Sequence, residues 1–216
     1  NSQDGSVEMV LSEFPHVELI ANKQNRGFGP ANNQALQRVR GAFVLYLNSD
    51  AYAHPGAVQT LAQAFDDPKV AAAGGMLVNP NGTLQTSTAN ALTLWAVFCE
   101  QTWLEKWRPK SPRWSPYWNT ERLLDTAEYE TEQVMGACLM TRCLDVEWNE
   151  RFFLYCEDTD FCRRLSKRGK IVYVPDAVFT HELGASSQDR SVAIARYNRG
   201  KELYFRIHYG FGASLA

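Results

Sequence analysis

Residues 152–165 read Phe-Phe-Leu-Tyr-Cys-Glu-Asp-Thr-Asp-Phe-Cys-Arg-Arg-Leu, an apolar run that ends abruptly in acids and continues as an amphipathic segment. Phe161 and Leu165 fall on one face of this segment, and its basic residues come late. Because a helix dipole favours acids early and bases late, the pattern predicts a helix with Asp158 in its first turn. A carboxylate at the lip of an apolar wall can serve as a general base. Acids that only cap the helix are the alternative, and this stretch alone does not separate the two.

The composition indicates a single globular domain. The 216 residues (24.4 kDa) are 45% hydrophobic and 21% charged, which is enough apolar content for a substantial core. The formal net charge of -2 gives no support for a nucleic-acid partner. The five cysteines form no CxxC pair, which is typical of reduced, packed thiols. The sequence shows neither a signal-peptide pattern nor an apolar run long enough to span a bilayer, so a cytoplasmic location is expected.

Strands and helices are predicted to alternate along the first half of the chain. The run 42–47 (Ala-Phe-Val-Leu-Tyr-Leu) is nearly all apolar, which predicts a central strand covered on both faces. The sequence Asn-Pro-Asn-Gly at 79–82 indicates a hairpin turn. Further strands are predicted at 17–20 and 70–78, and helices at 7–14, 31–40 and 55–65. This order predicts an α/β domain with a parallel, doubly wound sheet.

The second half of the chain adds strands and a closing helix. Residues 132–141 read as a buried strand interrupted by Gly136, where another group is expected to approach the backbone closely. Short strands are predicted at 171–174 and 178–180. The basic, aromatic segment 190–209 predicts a helix that either packs across the domain or makes a peripheral contact with a membrane surface. Its aromatic residues are spread along its length, which favours packing across the domain.

Residues 92–130 form an aromatic, proline-rich insert. Its first part, 92–107, has a helical pattern, whereas three prolines in 108–119 predict a loop. A surface connector is the simplest interpretation of this loop. Long loops in compact domains are often functional, so a flap that covers an acceptor is the competing interpretation.

Polar residues follow the predicted strands. In an open parallel sheet, ligands bind beyond the carboxyl ends of the strands. Asn48 and Asp50 follow one strand, and His181 follows another. Each alone is an ordinary strand-end residue, but together Asp50 and His181 could offer oxygen and nitrogen ligands to Mg²⁺ or Mn²⁺ beside substrate phosphates. The sequence therefore predicts a divalent-metal site.

The segment Asn25-Arg-Gly-Phe-Gly-Pro30 is a polar, glycine-bearing loop that precedes a predicted helix. Backbone N–H groups in such a loop can face a phosphate or a base. The signal is weak when taken alone, because glycine loops before helices are common. The segment has neither the spacing of a P-loop nor that of a GxGxxG fingerprint.

In their order along the chain, these motifs resemble the family 2 inverting glycosyltransferases of the GT-A type. The resemblance is closest to the rhamnosyltransferase-like branch that builds bacterial surface polysaccharides. The motifs are Asp4-Gly-Ser6, Asn25-x-Gly-Phe28, Asn32-Asn33, Asn48-x-Asp50, Gly136-Ala-Cys138, Phe153 to Glu157-Asp158-x-Asp160 and His181-x-x-Gly184-x-Ser186. The Asn-x-Asp and Glu-Asp-x-Asp elements in that order are specific, whereas each element alone is not.

The resemblance implies roles for individual residues. Asp158 would be the general base for the acceptor hydroxyl, and Glu157 beside it would shape the acceptor pocket. Asp50 would hold the metal that bridges two donor phosphates, and His181 would be a second metal or diphosphate contact. Asn48 occupies the first position of the DXD-type motif, where Asn is usual in this branch. The implied nucleotide-binding residues are Asn25, Gly27, Phe28, Asn32, Asn33, Asn48 and Gly136.

The resemblance also implies a fold and an activity. The expected fold is a Rossmann-like α/β domain of the GT-A type, with a parallel-centred mixed sheet flanked by helices. The expected activity is metal-dependent transfer of a hexose, with rhamnose as the first candidate. The donor would be a dTDP- or UDP-sugar, and the acceptor a glycan or a lipid-linked glycan at the inner face of the plasma membrane. Family members begin with two strands that this sequence lacks. We therefore expect residues 1–216 to be a single catalytic domain, truncated at its N-terminus and lacking its first strands.

Two other functions compete with this interpretation. A non-catalytic module that binds a nucleotide-sugar or a glycan would share the site but would not transfer sugar. A nucleotidyltransferase would share the sheet and the metal chemistry, but it would be expected to carry a glycine-rich, basic loop near its N-terminus.

Overall fold

The computed structural model describes residues 2–109, 111–119, 122, 127–142, 146–182 and 190–215. Its helices are α1 (Ser6–Glu13), α2 (Phe28–Leu36), α3 (Ala57–Gln63), α4 (Leu94–Gln101), α5 (Leu104–Trp107), α6 (Glu157–Leu165) and α7 (Arg190–Tyr209). Its strands are β1 (Phe43–Leu47), β2 (Ala51–Ala53), β3 (Val70–Val78), β4 (Thr88–Ala89), β5 (Tyr129–Thr131), β6 (Gln133–Val134), β7 (Cys138–Arg142) and β8 (Lys170–His181). Short 3-10 turns occupy Ala64–Asp66 and Phe211–Leu215.

One mixed sheet organises the domain. Its strands lie in the order β1-β7-β3-β8, and β5 and β2 share the far edge of the long strand β8. β3 and β8 run parallel at the centre, whereas the other pairs of this sheet are antiparallel. β4 and β6 form a separate two-stranded ladder. The parallel-centred mixed sheet that the resemblance implies is therefore confirmed, whereas the all-parallel sheet predicted from the element order is wrong.

The apolar run at 42–47 forms β1, but the prediction of a central position is wrong. Among the described residues, β1 pairs with β7 alone and lies at an edge of the sheet. Its two faces are nevertheless covered, because Leu45 packs on one core cluster and Tyr46 is buried in another. An apolar run reports how well the faces of a strand are covered, and it does not report whether both edges are paired.

Other predicted elements differ from the structure in their bounds. The strands predicted at 171–174 and 178–180 are one strand, β8, whose register against β3 shifts after the pair Gly75 and Val174. The shift lies at Pro175, which has no N–H to give to a ladder and so favours a bulge. The predicted helix at 31–40 begins earlier, at Phe28, with Pro30 in its first turn. Residues 17–20, predicted as a strand, are irregular.

Helices cover both faces of the sheet. On one face, α3 buries Leu61 against β3 and β8, in a cluster that includes Phe179. On the other face, α6 buries Phe161 and Leu165 together with residues of β1 and β7. The amphipathic pattern of α6 predicted this face, and its three acids do lie in the first turn.

Trp148 is the centre of the second cluster. It is 2% exposed, and its ring stacks on Phe161 with centroids 4.1 Å apart. Its edge contacts are with Tyr46 (5.0 Å) on β1 and Phe28 (4.9 Å) at the start of α2. This cluster of four aromatic residues therefore joins the strand, the loop and the helix that carry most of the predicted site.

The closing helix α7 packs across the domain. It buries Tyr204 and Phe205 in a third cluster with α4. His208 on α7 lies 2.8 Å from the fully buried Asp160 of α6, and Lys201 pairs with Glu100 of α4 at 2.9 Å. In the described part of the chain, no helix is both long enough and apolar enough to cross a membrane.

We predict that Trp148→Ala lowers the free energy of unfolding by about 3–5 kcal/mol, because removing a buried indole leaves a cavity among its partners. Trp103→Ala is the matched control, since Trp103 is 65% exposed and its loss should cost less than about 0.5 kcal/mol. Urea denaturation followed by circular dichroism measures both. Equal effects of the two substitutions would contradict the central position of Trp148.

Candidate active site

Two polar strand ends meet at one edge of the sheet. After β1 the chain turns directly into β2, and the N–H of Ala51 donates to the carbonyl of Asn48 (3.1 Å). β2 then runs beside the end of β8, which places Ala51 opposite His181. The N–H of Glu182 donates to the carbonyl of Asp50 (2.9 Å) and completes this register. The pairing brings together the two residues that were predicted to bind a metal.

Asp50 and His181 form a close pair. Asp50 Oδ1 lies 3.4 Å from His181 Nε2, and Asn48 Nδ2 lies 3.5 Å from the same nitrogen. Two ligands about 2.1 Å from an octahedral cation lie about 3 Å apart, so the spacing of this pair fits a divalent cation. The described residues contain no group of three or more His, Cys, Asp or Glu side chains placed to hold a metal. Few protein ligands are typical of a cation that also binds substrate phosphates.

Gln85 orients the ring of His181. Its Nε2 donates to the carbonyl of His181 (2.5 Å) and to Asn79 Oδ1 (2.8 Å), so its Oε1 faces His181 Nδ1 at 3.0 Å. Because an amide oxygen only accepts, Nδ1 carries the proton and Nε2 presents its lone pair towards Asp50. A hydrogen bond of this kind behind a histidine ligand is typical of metal sites. Gln85 could not be predicted from the sequence, since this contact joins residues far apart in the chain.

The acids of α6 begin after a left-handed turn. Tyr155 and Cys156 have φ of 74° and 65°, so the chain reverses sharply into the helix. Asp158 accepts hydrogen bonds from the N–H of Gly136 (3.2 Å) and from the N–H of Thr159 (2.8 Å). A Cβ on Gly136 would lie 3.3 Å from the Cβ of Asp158. The group that approaches Gly136 is therefore Asp158.

Burial shifts the acid–base properties of the two adjacent carboxyls. Desolvation, with the neighbouring Asp158 charge as the second cause, raises the pKa of Glu157 from 4.5 to about 8. Desolvation also raises the pKa of Asp158, although its backbone N–H donors oppose the shift. Glu157 Oε2 is buried and has no hydrogen-bond partner among the described residues. At neutral pH, Glu157 is therefore the carboxyl that keeps its proton, and Asp158 is the better candidate for the carboxylate.

Tyr117 anchors the proline-rich insert beside these acids. Its hydroxyl lies 3.0 Å from Gln133 Oε1 and 3.2 Å from Thr159 Oγ1. Burial raises the pKa of Tyr117 well above its ordinary value, so its phenol stays neutral and acts as a hydrogen-bond donor. The sequence predicted a loop here and did not identify Tyr117 as one of its anchors.

An open cavity of about 390 Å³ extends from His181 to the backbone on either side of Gly136, the glycine whose N–H binds Asp158. His181 lines one side, and Met135 and Ala137, which flank Gly136, line another. Trp118 from the insert 92–130 lines it as well, whereas Trp103 and Trp107 of the same insert are exposed. The insert thus reaches this cavity through Trp118. The role of the insert as an acceptor flap remains a prediction.

The predicted nucleotide loop contacts residues 153–156, the segment directly before α6, which we call the lip of α6. The N–H of Phe28 donates to the carbonyl of Phe153 (3.2 Å). Gly27 has φ of 87°, and a Cβ there would lie 2.6 Å from the same carbonyl oxygen. Asn25 Oδ1 accepts from the N–H of Gly27 (3.0 Å), which shapes the turn. The loop needs glycine at this position because the lip leaves no room for a side chain.

The two asparagines of α2 are engaged by the protein itself. Asn33 is 4% exposed; its Nδ2 donates to the carbonyl of Trp148 (2.9 Å) and its Oδ1 accepts from the N–H of Trp148 (2.8 Å). Asn32 Nδ2 donates to the carbonyl of Phe28 (3.0 Å). Asn33 therefore positions the Trp148 segment, and its geometry favours a structural role over the nucleotide contact that the resemblance implied.

Asp160, the last acid of the motif, is also structural. It is fully buried and pairs with Arg164 on its own helix (2.8 Å) and with His208 on α7 (2.8 Å). These contacts hold α6 against the closing helix. Gly184 and Ser186, which belong to the predicted His181 motif, lie outside the described residues.

Comparison with known sequences identifies a family and a relative. Residues 1–143 match the family Glycosyl transferase family 2. The chain is 26% identical, over 221 aligned residues, to the N-acetylglucosaminyl-diphospho-decaprenol L-rhamnosyltransferase of two strains of Mycobacterium tuberculosis, CDC 1551 / Oshkosh and ATCC 25618 / H37Rv. The alignment covers 94% of this chain and 71% of that enzyme.

Three solved structures share the fold. GalNAc-T7 with UDP, GalNAc and Mn²⁺ has a TM-score of 0.64 at 14% identity. The alignment covers 96% of this chain and 40% of the GalNAc-T7 chain. The mannosyltransferase PcManGT from Pyrobaculum calidifontis, in complex with GDP-Man and Mn²⁺, has a TM-score of 0.59 at 15% identity. The alignment covers 95% of this chain and 52% of the PcManGT chain. S. aureus TarS has a TM-score of 0.55 at 15% identity, and the alignment covers 95% of this chain and 33% of the TarS chain. The chain thus spans about half or less of each of these proteins, and the likeness confirms the GT-A type fold.

We predict that the free energy of unfolding falls as the pH rises from about 4.5 to about 8, because Glu157 keeps its proton in the folded chain and loses it in the unfolded chain over this interval. Glu157→Gln, which mimics the neutral carboxyl, should flatten this slope and make the variant more stable than the wild type near pH 8. Urea denaturation across the pH range measures the slope. The exposed Glu13→Gln is the control and should keep the wild-type slope; a Glu157→Gln slope equal to the wild type would refute the shift.

Proposed function

The chain belongs to glycosyl transferase family 2, and from this premise we propose that it is a metal-dependent, inverting glycosyltransferase in which Asp158 is the general base. Two observations carry the proposal: Asp50 and His181 have a spacing that fits a metal ion, and Asp158 is held by the N–H of Gly136. The neighbours of Gly136, Met135 and Ala137, line the same cavity as His181. Sugar transfer needs both functions. The leaving diphosphate develops negative charge, and the acceptor hydroxyl must lose a proton.

Asp50 and His181 would hold the cation beside the donor diphosphate. The lone pair of His181 Nε2 and the carboxylate of Asp50 face each other, and Gln85 maintains the tautomer that this requires. When bound, a divalent cation supplies the Lewis-acid neutralisation of the leaving phosphates. The oxygen-and-imidazole donor set suits Mn²⁺ or Mg²⁺.

Asp158 would take the proton of the acceptor hydroxyl. The acceptor oxygen forms its bond to the anomeric carbon while the bond from that carbon to the diphosphate oxygen breaks, and the proton passes to an Asp158 carboxylate oxygen. A single displacement of this kind inverts the anomeric centre. Two backbone N–H donors hold the carboxylate in place, and its raised pKa makes it a stronger base than an exposed aspartate.

Glu157 would act beside the base as a neutral group. Its raised pKa keeps the proton on the carboxyl at neutral pH, so it adds no second negative charge near the reacting oxygen. A protonated carboxyl can donate a hydrogen bond to a sugar hydroxyl, which fits the predicted part of Glu157 in the acceptor pocket.

The relative supports a particular pair of substrates. Its name specifies rhamnosyl transfer to an N-acetylglucosaminyl-diphospho-decaprenol, and we propose that this chain likewise acts on a lipid-linked diphosphate glycan at a membrane surface in the synthesis of a surface polysaccharide. The donor would be a dTDP- or UDP-sugar, with rhamnose as the first candidate. The structural neighbours bound to UDP or GDP-Man are consistent with a nucleotide-diphosphate donor.

We predict that Asp158→Asn lowers the rate of sugar transfer by about 10²–10⁴-fold, because an amide cannot accept the proton of the acceptor hydroxyl. Affinity for the nucleotide diphosphate with Mn²⁺ should change little, since Asp158 lies outside the metal pair. Release of nucleoside diphosphate in the presence of the acceptor measures the rate, and calorimetry measures the affinity.

The exposed Asp176→Asn is the matched control for this charge change and should turn over like the wild type. Transfer by Asp158→Asn at the wild-type rate would refute the assignment of the base. Donor binding by the wild type with no transfer to any acceptor would favour a non-catalytic binding module instead.

A further inference from the structure

A second, basic cleft lies behind the lip of α6. Its volume is about 530 Å³, and it opens between residues 151–155 and the outer face of α7. Four arginines line it: Arg151, Arg196, Arg199 and Arg206. The acidic side chain in its lining is Glu202. The cleft therefore has an excess of positive charge, although the chain as a whole carries a formal charge of -2.

The arginines of α7 share one face of the helix. Arg196, Arg199 and Arg206 are separated by three and seven residues, spacings that return to the same side of an α-helix. All are exposed, and none of the four cleft arginines forms an ion pair with another described residue. The Arg196 guanidinium lies 5.5 Å from the ring of Phe153 on the lip, which holds it over the cleft.

The cleft lies close to the candidate catalytic base along the chain. A Cβ on Gly200 of α7 would lie 2.6 Å from the carbonyl oxygen of Tyr155, so helix and lip are in close contact. Tyr155 lines the cleft and precedes Asp158 by three residues, which limits the separation of their Cα atoms to about 11 Å. The cleft therefore begins within reach of an acceptor whose hydroxyl contacts the base.

We propose that this arginine cleft binds the phosphate groups of the acceptor. The inference rests on the proposed function, in which the acceptor is a lipid-linked diphosphate glycan. Arginine binds phosphate through paired, charge-assisted hydrogen bonds and needs no metal. In the proposed function the donor diphosphate binds at Asp50 and His181, neither of which lines this cleft. A site rich in arginine and poor in carboxylates therefore suits a phosphate that arrives without a cation.

The direct test is calorimetric titration with inorganic pyrophosphate in the absence of divalent cations. The wild type should bind it, and the double variant Arg196→Gln/Arg199→Gln should bind at least tenfold more weakly. Arg168→Gln, an exposed arginine of another surface, is the control and should bind like the wild type. Equal affinity of the wild type and the double variant, or no binding by the wild type, would overturn the proposal.

A second measurement separates an acceptor phosphate from a lipid headgroup. Co-sedimentation compares phosphatidylcholine vesicles that contain either a polyprenyl diphosphate or phosphatidylglycerol. Stronger binding to the polyprenyl diphosphate, lost in the double variant, supports the acceptor assignment. Arginine-dependent binding that is equal for both vesicles would overturn it in favour of a general anionic-lipid contact.

This test is independent of the catalytic proposal. The double variant should keep the wild-type affinity for a nucleoside diphosphate with Mn²⁺, because the metal pair is untouched, and should raise the KM for the acceptor at least tenfold with kcat little changed. If the wild type binds pyrophosphate through the arginines but transfers no sugar, the catalytic proposal fails while the phosphate site stands. If transfer and its acceptor KM are unaffected in the double variant, the phosphate site fails alone.

Discussion

The candidate site depends on the packing of Trp148. Its indole contacts Phe161 of α6, Tyr46 of β1 and Phe28 of α2. The side chain of Asn33 forms hydrogen bonds with both the N–H and the carbonyl of Trp148. These partners belong to the helix of the candidate base, the strand that leads to Asp50, and the predicted nucleotide loop. A catalytic arrangement must be held within about 0.5 Å to work. One buried, close-packed cluster can restrict the movement of three segments at once, because protein interiors are densely packed and have low compressibility.

The lip of α6 provides the second constraint. Tyr155 and Cys156 adopt left-handed backbone conformations that cost non-glycine residues of order 1–3 kcal/mol each. Surrounding contacts maintain this turn, since Gly27 and Gly200 approach it from the nucleotide loop and from α7 at distances that exclude a side chain. The sharp turn places Glu157 and Asp158 in the first turn of the helix, where Asp158 reaches the N–H of Gly136. The backbone strain therefore serves to position the acids.

The sequence was informative where local pattern determines structure, and it was not informative where contacts join distant segments. The acids-then-bases pattern of 157–165 predicted α6 correctly, and the strand-end rule brought Asp50 and His181 together. The edge position of β1 could not be predicted, because apolar residues report covered faces and not paired edges. Gln85 was missed because its contact with His181 arises only from tertiary pairing, and Asn33 has the local features of a ligand while its buried amide is occupied by Trp148.

The central claim is that this chain holds a nucleotide diphosphate through a cation at Asp50 and His181. Calorimetric titration of the chain with dTDP and with UDP, each with and without Mn²⁺, tests it most directly. The account predicts binding of at least one nucleotide that requires Mn²⁺ and is lost in Asp50→Ala. Binding of equal strength without the metal, binding unchanged by Asp50→Ala, or no binding of either nucleotide in the presence of Mn²⁺ would contradict it.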